Sequence, residues 1–132
     1  MKEHVFRLSK GALLKESLMV YMNEHNIESA IILCAVGSLL ELNIRLAEAK
    51  DYLVSKKHYE IVSLCGTLCK DGCHLHISVS DKEGHVFGGH LENGTMINTT
   101  CEVVLGELED YTLHRKYDET TGFKELFVES KV

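Results

Sequence analysis

The sequence predicts an α/β chain of the α+β kind, a mixed and mostly antiparallel sheet with one main helix near the N-terminus. Two observations carry that expectation. Only residues 11–25 repeat apolar side chains at helical spacing. The rest of the chain is mostly short β-rich segments punctuated by the turn signals Asp71-Gly72, residues 81–84 (DKEG) and Asn93-Gly94. Strands joined by tight turns beside one helix fit a two-layer α+β arrangement. At 132 residues, 45% hydrophobic and 26% charged, one such domain over residues 1–132 is the expectation.

The elements come in order along the chain. Residues 4–8 (HVFRL) open as a strand. Ser9 is placed to cap the helix, and Leu14, Leu18, Tyr21 and Met22 give that helix a buried stripe. Residues 30–37 (AIILCAVG) are apolar on both faces and read as a strand covered on both sides. Gly37-Ser38 interrupts the run, so residues 39–47 read as a second strand, and the charged residues 48–57 separate it from the next half. Residues 59–68, 73–80, 86–91 and 99–107 then read as strands, and residues 110–132 alternate enough for one or two more.

The net charge of −6 opposes the phosphate neutralisation on which nucleic-acid binding depends. No apolar run approaches the roughly 20 residues that cross a bilayer, and the first ten residues lack the apolar core of a signal peptide. The expected location is cytoplasmic. Cys34, Cys65, Cys69, Cys73 and Cys101 form an odd set with no export signal. They are expected to be free thiols acting as small buried hydrophobes.

Chemistry concentrates in residues 73–80 (CHLHISVS). Strand alternation puts Cys73, Leu75, Ile77 and Val79 toward the core and His74, His76, Ser78 and Ser80 on the opposite face. Two imidazoles on one face can converge on one metal ion. His90, after the flexible pair Gly88-Gly89, can return beside them, and three neutral imidazoles plus an open position suit zinc. Taken locally, a wet strand face accommodates the same residues, because the spacing dictates no fourth ligand. Thr100 and Glu102 share a strand face, so Glu102 is a candidate second-sphere partner or general base if that face adjoins the histidines, and an exposed pair if it does not. Arg7, Arg45 and Arg115 are candidate anion clamps, since guanidinium grips carboxylate or phosphate with two donors; ordinary surface ion pairing is the alternative. A P-loop, a dinucleotide fingerprint, Gly-x-Ser-x-Gly and Cys-x-x-Cys are all absent.

Residues 59–68 (YEIVSLCGTL), 73–81 (CHLHISVSD), 88–91 (GGHL) and 99–104 (TTCEVV), in that order and spacing, resemble the plant and prokaryote conserved (PPC) family. Arg7 before Gly11, Gly37-Ser38-Leu39 before Arg45, and Arg115, Asp118 and Thr121-Gly122 resemble its stand-alone prokaryotic branch. The resemblance spans nearly the whole chain. It implies a mainly antiparallel α/β fold, a homotrimer, and a zinc-like divalent metal on His74, His76 and His90 near a subunit interface. The leading functional expectation is a histidine-lined pocket between subunits for a small anionic ligand, with Arg7, Arg45, Thr100 and Arg115 as ligand-binding candidates. Hydrolysis with Glu102 as the catalytic candidate is one use of such a pocket. The alternative is a regulatory module without enzymatic activity that binds proteins or DNA. Plant relatives join the domain to AT-hook peptides, whereas this chain has no Arg-Gly-Arg-Pro core and no proline. DNA is therefore not an expected partner.

Overall fold

The computed structural model describes residues 1–132. The chain runs β1 (Lys2–Ser9), α1 (Leu14–Glu24), β2 (Ser29–Arg45), β3 (Tyr52–Ser55), β4 (Tyr59–Cys69), β5 (Gly72–Ser80), β6 (Val86–Leu91), β7 (Met96–Glu107), β8 (Tyr111–Asp118) and β9 (Phe123–Ser130). Seven strands form one sheet in the order β1-β7-β2-β4-β5-β6, with β3 on the edge of β2, while β8 and β9 pair as a separate two-stranded sheet. All the ladders are antiparallel, so the sheet is not mixed as expected. Tight turns link β4 to β5 and β5 to β6, and such links join only antiparallel neighbours.

β2 is the organising element and departs from the sequence expectation. It is one 17-residue strand, not two strands broken at Gly37-Ser38. A Cβ at Gly37 would run into the Thr100 carbonyl of β7, so this glycine permits close backbone approach without ending the strand. Register shifts around it bend β2. Its earlier part carries β4 and β7, and its last residues carry β3 and β6. The sheet thereby curls until β6, three ladders from β2 by way of β4 and β5, meets β2 again at Ile44 and Arg45. The charged stretch expected as a separator contains β3, whose Leu53 packs on the core.

Inside the curl lie Leu39, Leu42, Ile44, Leu75, Ile77, Val79, Leu91, Ile97, Val103 and Leu105, all buried. Leu14, Leu18 and Met22 cover this core from α1 as an i, i+4, i+8 stripe, each contributing about 1.5–3 kcal/mol of burial. Tyr21 stands partly outside, stacked between Phe6 and His25 at 3.8 and 3.9 Å. The helix begins at Leu14, later than expected, and no side chain caps it. Residues 11–14 instead bond to the start of β7: Gly11 N–H donates to Ile97 O at 2.9 Å, and Leu14 N–H to Thr95 O at 2.8 Å. Those carbonyls take up donors that Ser9 was expected to serve.

Candidate metal centre

The outer face of the curled sheet carries the chemistry. On β5, Leu75, Ile77 and Val79 are buried while His74 and His76 are exposed, the alternation expected of the segment. Cross-strand register supplies the rest. His76 stands opposite His90 of β6, and His90 stands opposite Arg45 of β2. Directly opposed residues carry Cβ atoms about 4.5–5.5 Å apart, so this row is a contact row. Two glycines seat it. A Cβ on Gly88 would strike the Ile77 carbonyl, and one on Gly89 would sit 2.6 Å from Arg45 O. β6 can therefore press against both neighbours only because these positions lack side chains. Gly66 does the same for β4: its φ is +144°, and a Cβ there would strike the His74 carbonyl.

The three rings face one another. Ring centroids are 5.0 Å apart for His74 and His76, 5.3 Å for His74 and His90, and 5.8 Å for His76 and His90. One ligand atom from each lies within 4.8 Å of the other two. Nitrogens around one tetrahedral zinc at 2.0–2.1 Å lie roughly 3.3 Å apart, so modest side-chain rotation closes the set. His90 Nδ1 is shut off from water and has no hydrogen-bond partner, a cost that coordination at that atom would remove. The donors therefore fit a divalent ion.

Electrostatics point the same way. Burial, then the Arg45 guanidinium, then His74 press the His90 imidazolium down to about pKa 4. Burial, then His76, then Arg115 lower His74. Both rings are neutral near pH 7, which is the form that coordinates a metal.

Beside the cluster opens a cavity of about 420 Å³, lined by His74, His90, Arg45, Arg115, Phe123 and Lys124 among others. Arg115 Nη2 donates to Thr67 Oγ1 at 2.7 Å, and Thr67 is the register partner of His74. Arg45 lies over the Phe123 ring at 5.6 Å. Neither arginine has a carboxylate within ion-pair distance.

The other candidates lie elsewhere on the chain. Arg7 pairs with Glu102 across β1 and β7, Glu102 pairs in turn with Val36, and Thr100 stands opposite Ser9. Thr100 Oγ1 is buried without a partner. Glu102 shares the outer face with the histidines, but β2 and β4 lie between its strand and β5. Along β2, Glu102 pairs with Val36 whereas His90 pairs with Arg45, nine residues or about 30 Å of strand further on. Within one chain Glu102 does not reach the cluster. Phe123, Lys124 and Asp71 complete the cavity and carried no local signal, because they arrive from a distant hairpin and a turn. The cysteines are all free, but only Cys69 and Cys101 are buried; Cys65 is exposed by alternation along β4, and Cys34 is exposed where an irregularity after Ile32 breaks the alternation of β2.

A curled antiparallel sheet with one covering helix and a three-histidine cluster on its outer face defines a small β domain with a candidate metal centre. The chain belongs to the Plants and Prokaryotes Conserved (PCC) domain family, whose model matches residues 1–109. It is 40% identical over 130 residues to a bifunctional protein GlmU from Synechococcus sp. (strain JA-3-3Ab), covering 98% of this chain and 21% of that protein. The chain thus spans about one fifth of the length of the curated relatives it matches. Among solved structures, a hypothetical protein from Salmonella enterica superposes with a TM-score of 0.94 at 32% identity, covering 99% of this chain and 95% of that one. A metal-containing protein from Archaeoglobus fulgidus gives 0.78 at 29%, covering 96% and 94%. A plant- and prokaryote-conserved protein from Pyrococcus horikoshii gives 0.78 at 30%, covering 100% and 94%. Two others, both 20% identical and named as candidate DNA-binding proteins, show the fold alone. No helix of the chain is long and apolar enough to cross a membrane.

Proposed function

We propose that the chain is a metal-binding domain in which His74, His76 and His90 hold one divalent ion, zinc, and the adjoining cavity takes a small anion. The observation that carries this reading is the convergence of three ligand atoms within 4.8 Å on two neighbouring strands. The metal-containing relative at 29% identity supports it. Arg45 and Arg115, free of carboxylates, supply the positive field an anion requires.

In this reading the working unit is a homotrimer. The face formed by β1, β7 and β2 leaves Val5, Leu33 and Val36 at 74, 46 and 54% exposure, scattered apolar side chains that a second copy would cover. Residues 30–36 lack the cover expected on both sides because this outer face is open within one chain. Arg7, Thr100 and Glu102 lie on or beside that face, so a neighbouring subunit is the means by which they would meet a histidine cluster. A bound zinc ion would supply Lewis-acid polarisation of an oxygen on the anion or on water. Glu102 would then accept a proton across the interface, and Arg45 and Arg115 would hold the anion. Metal content measured in His74→Ala, His76→Ala and His90→Ala tests the metal reading, and undiminished metal in all three would overturn it.

A further inference from the structure

The hairpin β8–β9 lies outside residues 1–109, where the family model matches, yet it builds one wall of the histidine cavity. It is docked at its base. Leu113 is buried and its N–H donates to Ser29 Oγ at 2.8 Å, while Arg115 N–H reaches Asp71 Oδ2 at 3.3 Å. Near its tip it presents Phe123, Lys124 and Glu125 to the cavity.

The charges are arranged in a definite way. Arg45 flanks the cluster on the His90 side through strand register. Arg115 flanks it on the His74 side through Thr67. Lys124 is exposed and lines the same cavity, with no carboxylate at ion-pair distance. The rim also carries two acids: Asp71, which accepts from the Arg115 backbone N–H at 3.3 Å and lies 3.6 Å from His114 Nδ1, and Glu125. Three cations, none in an ion pair, against two carboxylates leave the cavity with one net positive charge before a metal is counted. Phe123, under the Arg45 guanidinium, fixes where one of them stands.

We infer that the β8–β9 hairpin is the ligand-selecting wall of this site, and that Arg115 and Lys124 from the hairpin, with Arg45 opposite, select a small doubly charged oxyanion, a dicarboxylate or a phosphate. This rests on the anion-pocket reading above and adds both the selecting element and the charge class. A cavity of about 420 Å³ suits a small molecule of that size. Two arginines on opposite flanks of the cluster match two negative charges better than one.

The test is calorimetric titration of the full chain, zinc-loaded and metal-free, with malonate, inorganic phosphate and acetate as probes, beside metal content for every variant. Malonate or phosphate should bind at least about tenfold more tightly than acetate, and the preferred one of the two identifies the source chemistry. Lys124→Met and Arg115→Lys should each weaken that binding roughly tenfold or more while leaving metal content unchanged. Phe123→Ala should weaken it less. Arg115 also anchors to Thr67, so Lys124→Met, at an exposed position, keeps the test decisive if the arginine variant folds poorly. Unaltered dianion affinity in Lys124→Met and Arg115→Lys would overturn the inference while leaving the metal and anion readings standing. Failure of the unmodified chain to bind malonate or phosphate would overturn it together with the anion reading. Selective loss in the variants of a chain that holds no zinc would support the inference and sink the metal reading alone.

Discussion

His76 and His90 are direct cross-strand partners, joined in one row across β5 and β6 although thirteen residues lie between them in the chain. Each is held by backbone hydrogen bonding, so their separation is a property of the sheet and does not wait on a metal ion. The site is therefore preorganised, which lowers the ordering cost of binding.

His90 should titrate near 4 in the metal-free protein, and His74 should also lie below the ordinary imidazole value. Two-dimensional NMR of the ring protons against pH measures both. The unfolded chain takes up these protons near pH 6.5, the folded chain only lower, so acidification favours the unfolded state. Stability from these two groups is complete above about pH 6.5 and declines toward pH 4. Metal binding should likewise persist to lower pH than free imidazole would allow. A His90 value near 6.5 would remove this account of the site's electrostatics.

Gly66→Ala should destabilise the fold by about 2 kcal/mol or more, because it puts a Cβ at positive φ against the His74 carbonyl. Gly89→Ala meets Arg45 O and should push β6 away from β2, lowering metal content as well as stability. Urea unfolding and metal analysis on the same samples separate the two effects. Variants as stable as the parent would mean that the strands pack less closely at these glycines.

Much of this was legible in the sequence, and the reason is local. Strand alternation alone sorts residues 73–80 into a core face and a histidine face, and burial follows it at His74, Leu75, His76 and Ile77. The turns at Asp71-Gly72 and Asn93-Gly94 likewise declare themselves by composition. What could not be read depends on distant partners. Gly37 signals a break in isolation and a close approach once Thr100 is opposite it. Arg45 faces His90 because β2 bends, and Arg115 reaches Thr67 because a hairpin 48 residues downstream folds back. Glu102 shows the limit most clearly. Its face is predictable, whereas its distance from the histidines depends on the strand order β7-β2-β4-β5.

The chain should be a trimer at micromolar concentration by light scattering. Val36→Asp places a charge on the exposed face beside its cross-strand partner Glu102, away from the core, and should shift the population to monomer without unfolding it. A stable monomer in the unmodified chain would contradict the assembly and, with it, any role for Glu102 at a neighbour's cluster.

Binding to A·T-rich duplex DNA should be weak or absent at physiological salt, since a chain of net charge −6 offers few free cations to phosphate. Fluorescence anisotropy measures it. Sub-micromolar affinity would show a basic surface that the charge balance conceals.

The most direct measurement is metal content per chain by mass spectrometry, after zinc loading and dialysis, in the unmodified protein and in single variants. The unmodified chain should hold about one ion, since three imidazoles and an open position complete one tetrahedral site. His74→Ala, His76→Ala and His90→Ala should each lose most of it, because every substitution removes one of the three converging donors. His85→Ala should not, since His85 is exposed, pairs with Asp81 at 3.4 Å and stands outside the cluster. Glu102→Gln should also keep the metal. Bound zinc that is unchanged in all three histidine variants would contradict the central claim.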